Sequence, residues 1–160
     1  MSRRILTAMV VASLLTLCAA ATFAATRKSA EGTWKLDTGK SSYGTMPAPT
    51  YEQLKVDTDT PAALKWTITG ASGDGKSFTV GYDGPIDGKF HPVMSNDGTT
   101  VAYKRDAGGN LSWTVKDKDG NVIESATGHL SADGNTLTLK GTLSGPSGKS
   151  DFVSVFSKAQ

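Results

Sequence analysis

The second half of the chain, from Thr99 to Lys158, alternates apolar and polar residues. Asp-Gly and Gly-rich turn sequences interrupt this alternation at short intervals, as at Asp119-Gly120 and Asp133-Gly134. The apolar positions that share the period of two are Val101, Tyr103, Leu111, Trp113, Val115, Leu137, Leu139, Phe152 and Phe156. Such alternation between tight turns is the main local signal for consecutive β-hairpins. The pattern therefore predicts an antiparallel meander.

The first half carries the same signal less regularly. Period-two segments predict strands over 31–37, 51–58, 64–70, 78–82 and 90–94, and Pro92 makes the last of these an edge strand. Asp-Gly pairs begin at positions 74, 83, 87, 97, 119 and 133. Glycine adopts positive φ at little steric cost, and aspartate bonds its own backbone, so all six pairs are predicted to be turns. The total is about ten strands, with no helical period after the N-terminal segment.

One face of these strands is apolar and the other is rich in Thr and Ser. A long meander of this kind can fold over as two sheets or close on itself. Closure is favoured because consecutive hairpins keep neighbouring strands adjacent all the way round. We therefore predict an all-β fold, a single antiparallel up-and-down β-barrel of eight to ten strands, with a two-sheet sandwich as the alternative.

The N-terminus is predicted to be a signal peptide. Arg3 and Arg4 precede an apolar run from Ile5 to Ala21, which ends in small residues. A membrane anchor, the alternative, needs roughly 20 apolar residues, and polar residues interrupt this run. A lipoprotein with a lipid attached to Cys18 is disfavoured, because it would need a small residue before the cysteine and Leu17 is large. We assign 1–24 to the signal peptide and 25–160 to one domain, exported to the periplasm or secreted and not inserted in the membrane.

The charge balance changes when this segment is removed. The whole chain has 17 Lys and Arg against 15 Asp and Glu, and the loss of Arg3 and Arg4 makes the two counts equal. A near-neutral domain without a basic patch gives no electrostatic reason to bind nucleic acid or anionic lipid. The only cysteine, Cys18, leaves with the segment.

The sequence shows no catalytic or metal-binding signature. His91 and His129 are the only histidines, and they stand in separate segments without a nucleophile at a recognisable spacing. A zinc site needs three or four ligands. We therefore predict no enzymatic activity, no metal and no cofactor.

The segment Gly32-Thr33-Trp34-Lys35-Leu36 resembles the first strand of the calycin superfamily, which includes lipocalins and fatty-acid-binding proteins. The layout is most similar to that of small exported bacterial lipocalin-like proteins. In calycins the tryptophan of Gly-x-Trp plugs one end of an up-and-down barrel, and in lipocalins a basic side chain packs over it. The resemblance implies barrel-closing roles for Gly32 and Trp34, with Lys158 as the basic residue and Arg105 as the other candidate.

The sequence also departs from that superfamily. Fatty-acid-binding proteins insert two helices after the first strand, where this chain has the Pro-rich segment 38–50. They hold the ligand carboxylate with Arg-x-Tyr on the last strand, and residues 152–158 contain neither residue type. Binding of a fatty acid in that manner is not predicted.

These patterns predict an exported binding protein that holds a small hydrophobic or amphiphilic molecule inside the barrel. The residues predicted to line the interior and mouth are Trp66, Phe78, Tyr82, Phe90, Tyr103, Arg105 and Trp113, with Tyr43 and Met46 on a lid formed by 38–50. The alternative is a non-enzymatic structural or interaction module of the cell envelope, its barrel filled by its own side chains.

Overall fold

The computed structural model describes residues 27–95, 97–145 and 148–160. The predicted signal peptide, 1–24, lies outside the described residues. Within them the chain forms ten strands: β1 (Gly32–Leu36), β2 (Tyr51–Asp59), β3 (Ala63–Ala71), β4 (Ser77–Pro85), β5 (Phe90–Pro92), β6 (Thr100–Arg105), β7 (Leu111–Lys116), β8 (Val122–Leu130), β9 (Thr136–Gly145) and β10 (Gly148–Lys158).

All ten strands belong to one antiparallel sheet in the order β4-β3-β2-β1-β10-β9-β8-β7-β6-β5. Each strand pairs with its neighbours in sequence except at β4 and β5, and the first strand pairs with the last. The predicted up-and-down barrel is confirmed, and the sandwich alternative is wrong. The barrel is nearly closed, with a seam between the edge strands β4 and β5. The Met94 amide donates a hydrogen bond of 2.7 Å to the Gly81 carbonyl across this seam.

Turn chemistry explains most of the strand ends. Five of the six Asp-Gly glycines, at 75, 88, 98, 120 and 134, have positive φ. At the β7–β8 turn the Asp117 carboxylate accepts bonds from the amides of Asp119 and Asn121, which fixes the tight conformation. The pair Asp83-Gly84 is the exception to the prediction, because it lies within β4, where Gly84 pairs with Leu64.

The barrel has two distinct ends. We call one the strap end, because residues 27–31 lie across it before β1 begins. The opposite one is the loop end, where the segment 37–50 joins β1 to β2. Trp34, with no exposed surface, is part of the core at the strap end, and its indole Nε1 donates to the Ala30 carbonyl at 2.8 Å.

The three residues that the calycin resemblance singled out lie together at the strap end. The Lys158 ammonium is 5.3 Å from the centre of the Trp34 ring, a cation–π distance. Gly32 has φ of 131°, and a Cβ there would lie 3.0 Å from Lys158 Cε. The glycine therefore serves two purposes: it adopts a backbone conformation unfavourable for other residues, and it leaves room for the lysine side chain.

Candidate functional site

A cavity of about 990 Å³ occupies the barrel interior. Its lining includes residues of the strap end, such as Arg27 and Ala107, and residues of the loop end, such as Glu52 and Asp97. The cavity therefore extends along the barrel from one end to the other. Ligand sites generally measure about 300–1,000 Å³, so this space is large enough for a small molecule.

The wall of the cavity follows from strand register. Side chains alternate between the two faces of a strand, and residues that pair across neighbouring strands point to the same face of the sheet. Val56 pairs with Trp66 on β3, and Leu54 pairs with Ile68. These four side chains line the cavity. The wall is consequently apolar over most of its middle, as the alternation in sequence implies.

An aromatic group connects the two flanks of the seam from inside. Trp66 on β3 donates its indole N–H to the Tyr103 hydroxyl on β6 at 2.9 Å. The Tyr103 ring is 5.0 Å from that of Tyr82 and 6.0 Å from that of Trp113. Such centroid distances suit tilted aromatic pairs. Burial raises the pKa of Tyr103, so its hydroxyl keeps its proton at physiological pH. These contacts stabilise the barrel where the backbone ladder is interrupted.

Two glutamates bring carboxylates into the loop-end half of the cavity. Glu52 lies on β2, in phase with Leu54, and Glu124 lies on β8, opposite Val115. Glu124 Oε1 accepts a bond of 2.6 Å from the Trp113 indole N–H. No described residue donates a hydrogen bond to the Glu52 carboxylate. The two acids therefore differ in how the protein supports them.

Space for the Glu52 side chain comes from a glycine on the neighbouring strand. Gly70 pairs with Glu52, and a Cβ at Gly70 would lie 3.0 Å from Glu52 Cγ and 2.8 Å from Phe78 Cζ. Glu52 and Phe78 therefore lie over Gly70 and extend the wall toward the loop end.

Both carboxyl groups are shifted toward the protonated state. Burial, together with the negative charge of Glu124, raises the pKa of Glu52 to about 7. Burial also raises the pKa of Glu124, against the opposing effect of the hydrogen bond from Trp113. The cause in each case is that an apolar surrounding disfavours an unpaired charge. Near neutral pH Glu52 is therefore poised to change its charge.

The strap end carries an ion network centred on Asp59, whose side chain is only 4% exposed. Its carboxylate accepts from Arg27 at 2.9 Å, from Arg105 at 2.6 Å and from the Ala30 amide at 2.7 Å. Arg105 also donates to the Gly109 carbonyl at 2.9 Å. Burial lowers the pKa of Arg105, while the attraction of Asp59 acts in the opposite direction. This network fastens residues 27–30 across the end of the barrel.

The structure places the predicted interior residues in three environments. The cavity lining contains Trp66, Phe78, Tyr103, Arg105 and Trp113. Tyr82 has no exposed surface and belongs to the packed core, where its hydroxyl donates to the Pro85 carbonyl at 2.7 Å.

Phe90 lies on the outer surface and is 42% exposed. It pairs with Ala102, which is out of phase with the inward-facing Val101 and Tyr103. The Lys116 ammonium lies 4.4 Å from its ring centre.

The two predicted lid residues lie beside the cavity, and neither is part of its lining. Segment 37–50 runs along β10, with a β-bridge between Ser42 and Val153. The Tyr43 ring stacks on Phe152 at 6.3 Å, and its hydroxyl is 2.8 Å from that of Ser154. A Cβ at Gly145 would lie 3.1 Å from Met46 Cε, which puts Met46 near the end of β9.

Glu52, Glu124 and Asp59 were not among the predicted site residues. Each glutamate is in phase with inward apolar neighbours, Glu52 with Leu54 and Glu124 with Ala126, and that phase is the signal in sequence that identifies them. Asp59 gives no such signal. A register irregularity between Val56 and Thr58 changes the phase of β2 just before it.

The two histidines are separate. His91 Nε2 is 3.0 Å from Asp87 Oδ1, and His129 Nδ1 is 3.5 Å from Asn110 Oδ1. Within the ranges the structure describes, no group of three His, Cys, Asp or Glu side chains is arranged to hold a metal ion. Over the same ranges, no helix has the length and apolar character needed to cross a membrane.

The sequence matches no protein-family model and no curated protein. Among solved structures, the chain is similar to zebrafish ileal bile acid-binding protein complexed with cholic acid. The superposition has a TM-score of 0.43 at 12% identity and covers 81% of this chain and 98% of that one. An overlap at this level does not transfer the neighbour's ligand to this chain, so function has to be argued from the cavity itself.

Proposed function

We propose that this chain is an exported binding protein that holds a small hydrophobic or amphiphilic molecule inside its barrel. The observation that supports this most directly is the cavity of about 990 Å³ running through the barrel. Protein interiors are normally packed to the density of organic crystals. A hollow of this size is costly unless water or a guest fills it.

The lining suits an amphiphile. Apolar side chains from β2 to β4 and from β6 to β9 cover the middle, and ionisable groups concentrate toward the two ends. A guest with an apolar body and a polar group would place each part against matching surface. Export is supported only by the sequence of residues 1–24, and it is tested by determining the N-terminal residue of protein recovered from the host.

Ligand binding is tested by tryptophan fluorescence. Trp66 and Trp113 line the cavity and Trp34 does not. We expect a panel of lipophilic compounds to change the emission of the wild-type protein. In the variant Trp66→Phe/Trp113→Phe, the remaining Trp34 emission should not respond, although equilibrium dialysis should still detect the bound compound.

Native mass spectrometry of protein purified from its host gives an independent measurement. A co-purifying small molecule of defined mass is expected. Purified protein that carries no molecule and takes up none from the panel would refute the proposal and favour the structural or interaction module.

A further inference from the structure

The charges that line the cavity are distributed unevenly along the barrel. All three lining cations of the described chain, Arg27, Lys28 and Arg105, are at the strap end, where Asp59 and Asp106 also line the cavity. The loop-end half is lined by the carboxylates of Glu52, Glu124 and Asp97, and no Lys or Arg of the described residues lines it. The strap end therefore combines cations with carboxylates, whereas the charged residues of the described chain that line the loop-end half are all acidic.

The positive end is already neutralised in part by the protein. Asp59 accepts hydrogen bonds from both Arg27 and Arg105, and Lys28 Nζ donates to the Ala132 carbonyl. These groups hold the strap in place, although the buried Arg105 Nε has no hydrogen-bond partner among the described residues. An anionic guest would have to compete with Asp59 for the guanidinium groups.

The two glutamates of the loop-end half are different because the protein supplies little compensation for their charges. Trp113 bonds one oxygen of Glu124, and no described residue donates to the carboxylate of Glu52. Both side chains come from strands on well-separated parts of the ring, β2 and β8, and both line one hollow. A carboxylate in apolar surroundings is stabilised by a nearby cation.

We propose that the cavity selects an amphiphile carrying a positively charged nitrogen, which lies between Glu52 and Glu124 while the apolar body contacts the aromatic wall. This inference rests on the proposed function, since it names the class of guest for the same cavity. The polar group of the guest would then lie in the loop-end half, at the opposite end of the cavity from Arg27 and Arg105. An ammonium offers N–H donors that match the open carboxylate oxygens, and such charge-assisted bonds are stronger than neutral ones.

The test compares three ligands with the same chain length: dodecylamine, 1-dodecanol and dodecanoate. Their affinities are measured at about pH 8, above the pKa of about 7 for Glu52, and at physiological ionic strength. We expect dodecylamine to bind at least roughly tenfold more tightly than 1-dodecanol, as one charge-assisted pair implies. Dodecanoate should bind most weakly.

Variants separate the charge effect from the cavity itself. In Glu52→Gln/Glu124→Gln the affinity for dodecylamine should fall to that for 1-dodecanol, while 1-dodecanol binding is unchanged and so reports an intact cavity. The control Asp119→Asn removes one negative charge from an exposed turn at the same end, outside the lining, and should preserve the preference for the amine.

The outcomes are distinguishable. If 1-dodecanol binds and dodecylamine binds no more tightly, or if the double variant keeps the preference for the amine, the charge assignment is wrong while the proposed function stands. If none of the three ligands binds the wild-type protein, the proposed function fails and the charge assignment fails with it.

Discussion

Replacing Glu52 by glutamine should stabilise the empty barrel, and only above a defined pH. Burial and the charge of Glu124 raise the pKa of Glu52 from 4.5 to about 7. Below pH 4.5 the carboxyl group is protonated in both the folded and the unfolded chain, and the substitution changes little. Between 4.5 and about 7 the unfolded chain loses this proton and the folded chain retains it, so the free energy of unfolding falls as pH rises. Above about 7 the loss is complete.

The size of the effect follows from the shift. Each pKa unit corresponds to about 1.4 kcal/mol, so a shift from 4.5 to about 7 destabilises the folded wild type by about 3–4 kcal/mol at alkaline pH. Water in the cavity reduces this figure, which is therefore an upper bound. Glu52→Gln should remove the penalty, giving a difference close to zero at pH 4 that rises toward this bound at pH 8.

The assay is urea unfolding of both proteins across this pH range, with equal slopes confirming that the midpoint reports stability. Asp117→Asn is an informative control, because hydrogen bonds from Asn121 lower the pKa of Asp117. The expected change in stability has the opposite sign. Asp117→Asn should lower the free energy of unfolding at neutral pH, and the difference from the wild type should shrink as pH falls below 3.8. Equal midpoints for wild type and Glu52→Gln at both pH 4 and pH 8 would refute the reasoning.

Three further predictions concern stability, each measured by urea unfolding. Gly70→Ala should lower the free energy of unfolding by about 1–3 kcal/mol through overpacking, because the new Cβ would lie 2.5 Å from the Tyr51 carbonyl oxygen. Gly39→Ala is the control, since a Cβ at Gly39 would make only ordinary contacts. An equal loss of stability at both positions would contradict the account. Asp59→Asn should cost about 3 kcal/mol because it leaves two arginines without their shared carboxylate, and a neutral effect would show that the network is not stabilising. Tyr82→Phe should cost about 1 kcal/mol through the lost hydrogen bond, and unchanged stability would argue against that bond.

The fold was predictable from local pattern to an unusual extent. Period-two alternation and Asp-Gly turns are local signals, and an up-and-down barrel contains little besides consecutive hairpins. The seam was not predictable in detail. Pro92 marks β5 as an edge strand, but whether Phe90 points into or out of the barrel depends on its pairing with Ala102 on β6. That register is a property of two strands together.

The candidate site was predictable in its aromatic part and not in its ionic part. The inward direction of Trp66, Tyr103 and Trp113 follows from alternation alone. The contact between Trp66 and Tyr103, however, joins two residues that are 37 positions apart in sequence. Glu52 has the correct phase to face inward, but a charged residue at such a position is easily taken for a frayed strand end. The position of Tyr43 depends on the long-range bridge between Ser42 and Val153. A linear pattern does not contain such pairings.

The central claim, that the barrel interior accepts a guest, is tested most directly by NMR of the protein with dodecylamine. The account predicts intermolecular nuclear Overhauser effects from the alkyl chain to the indoles of Trp66 and Trp113, with none to the outward-facing Phe90. Contacts confined to Phe90 and other outer-surface residues, with the interior indoles unaffected at saturation, would contradict it.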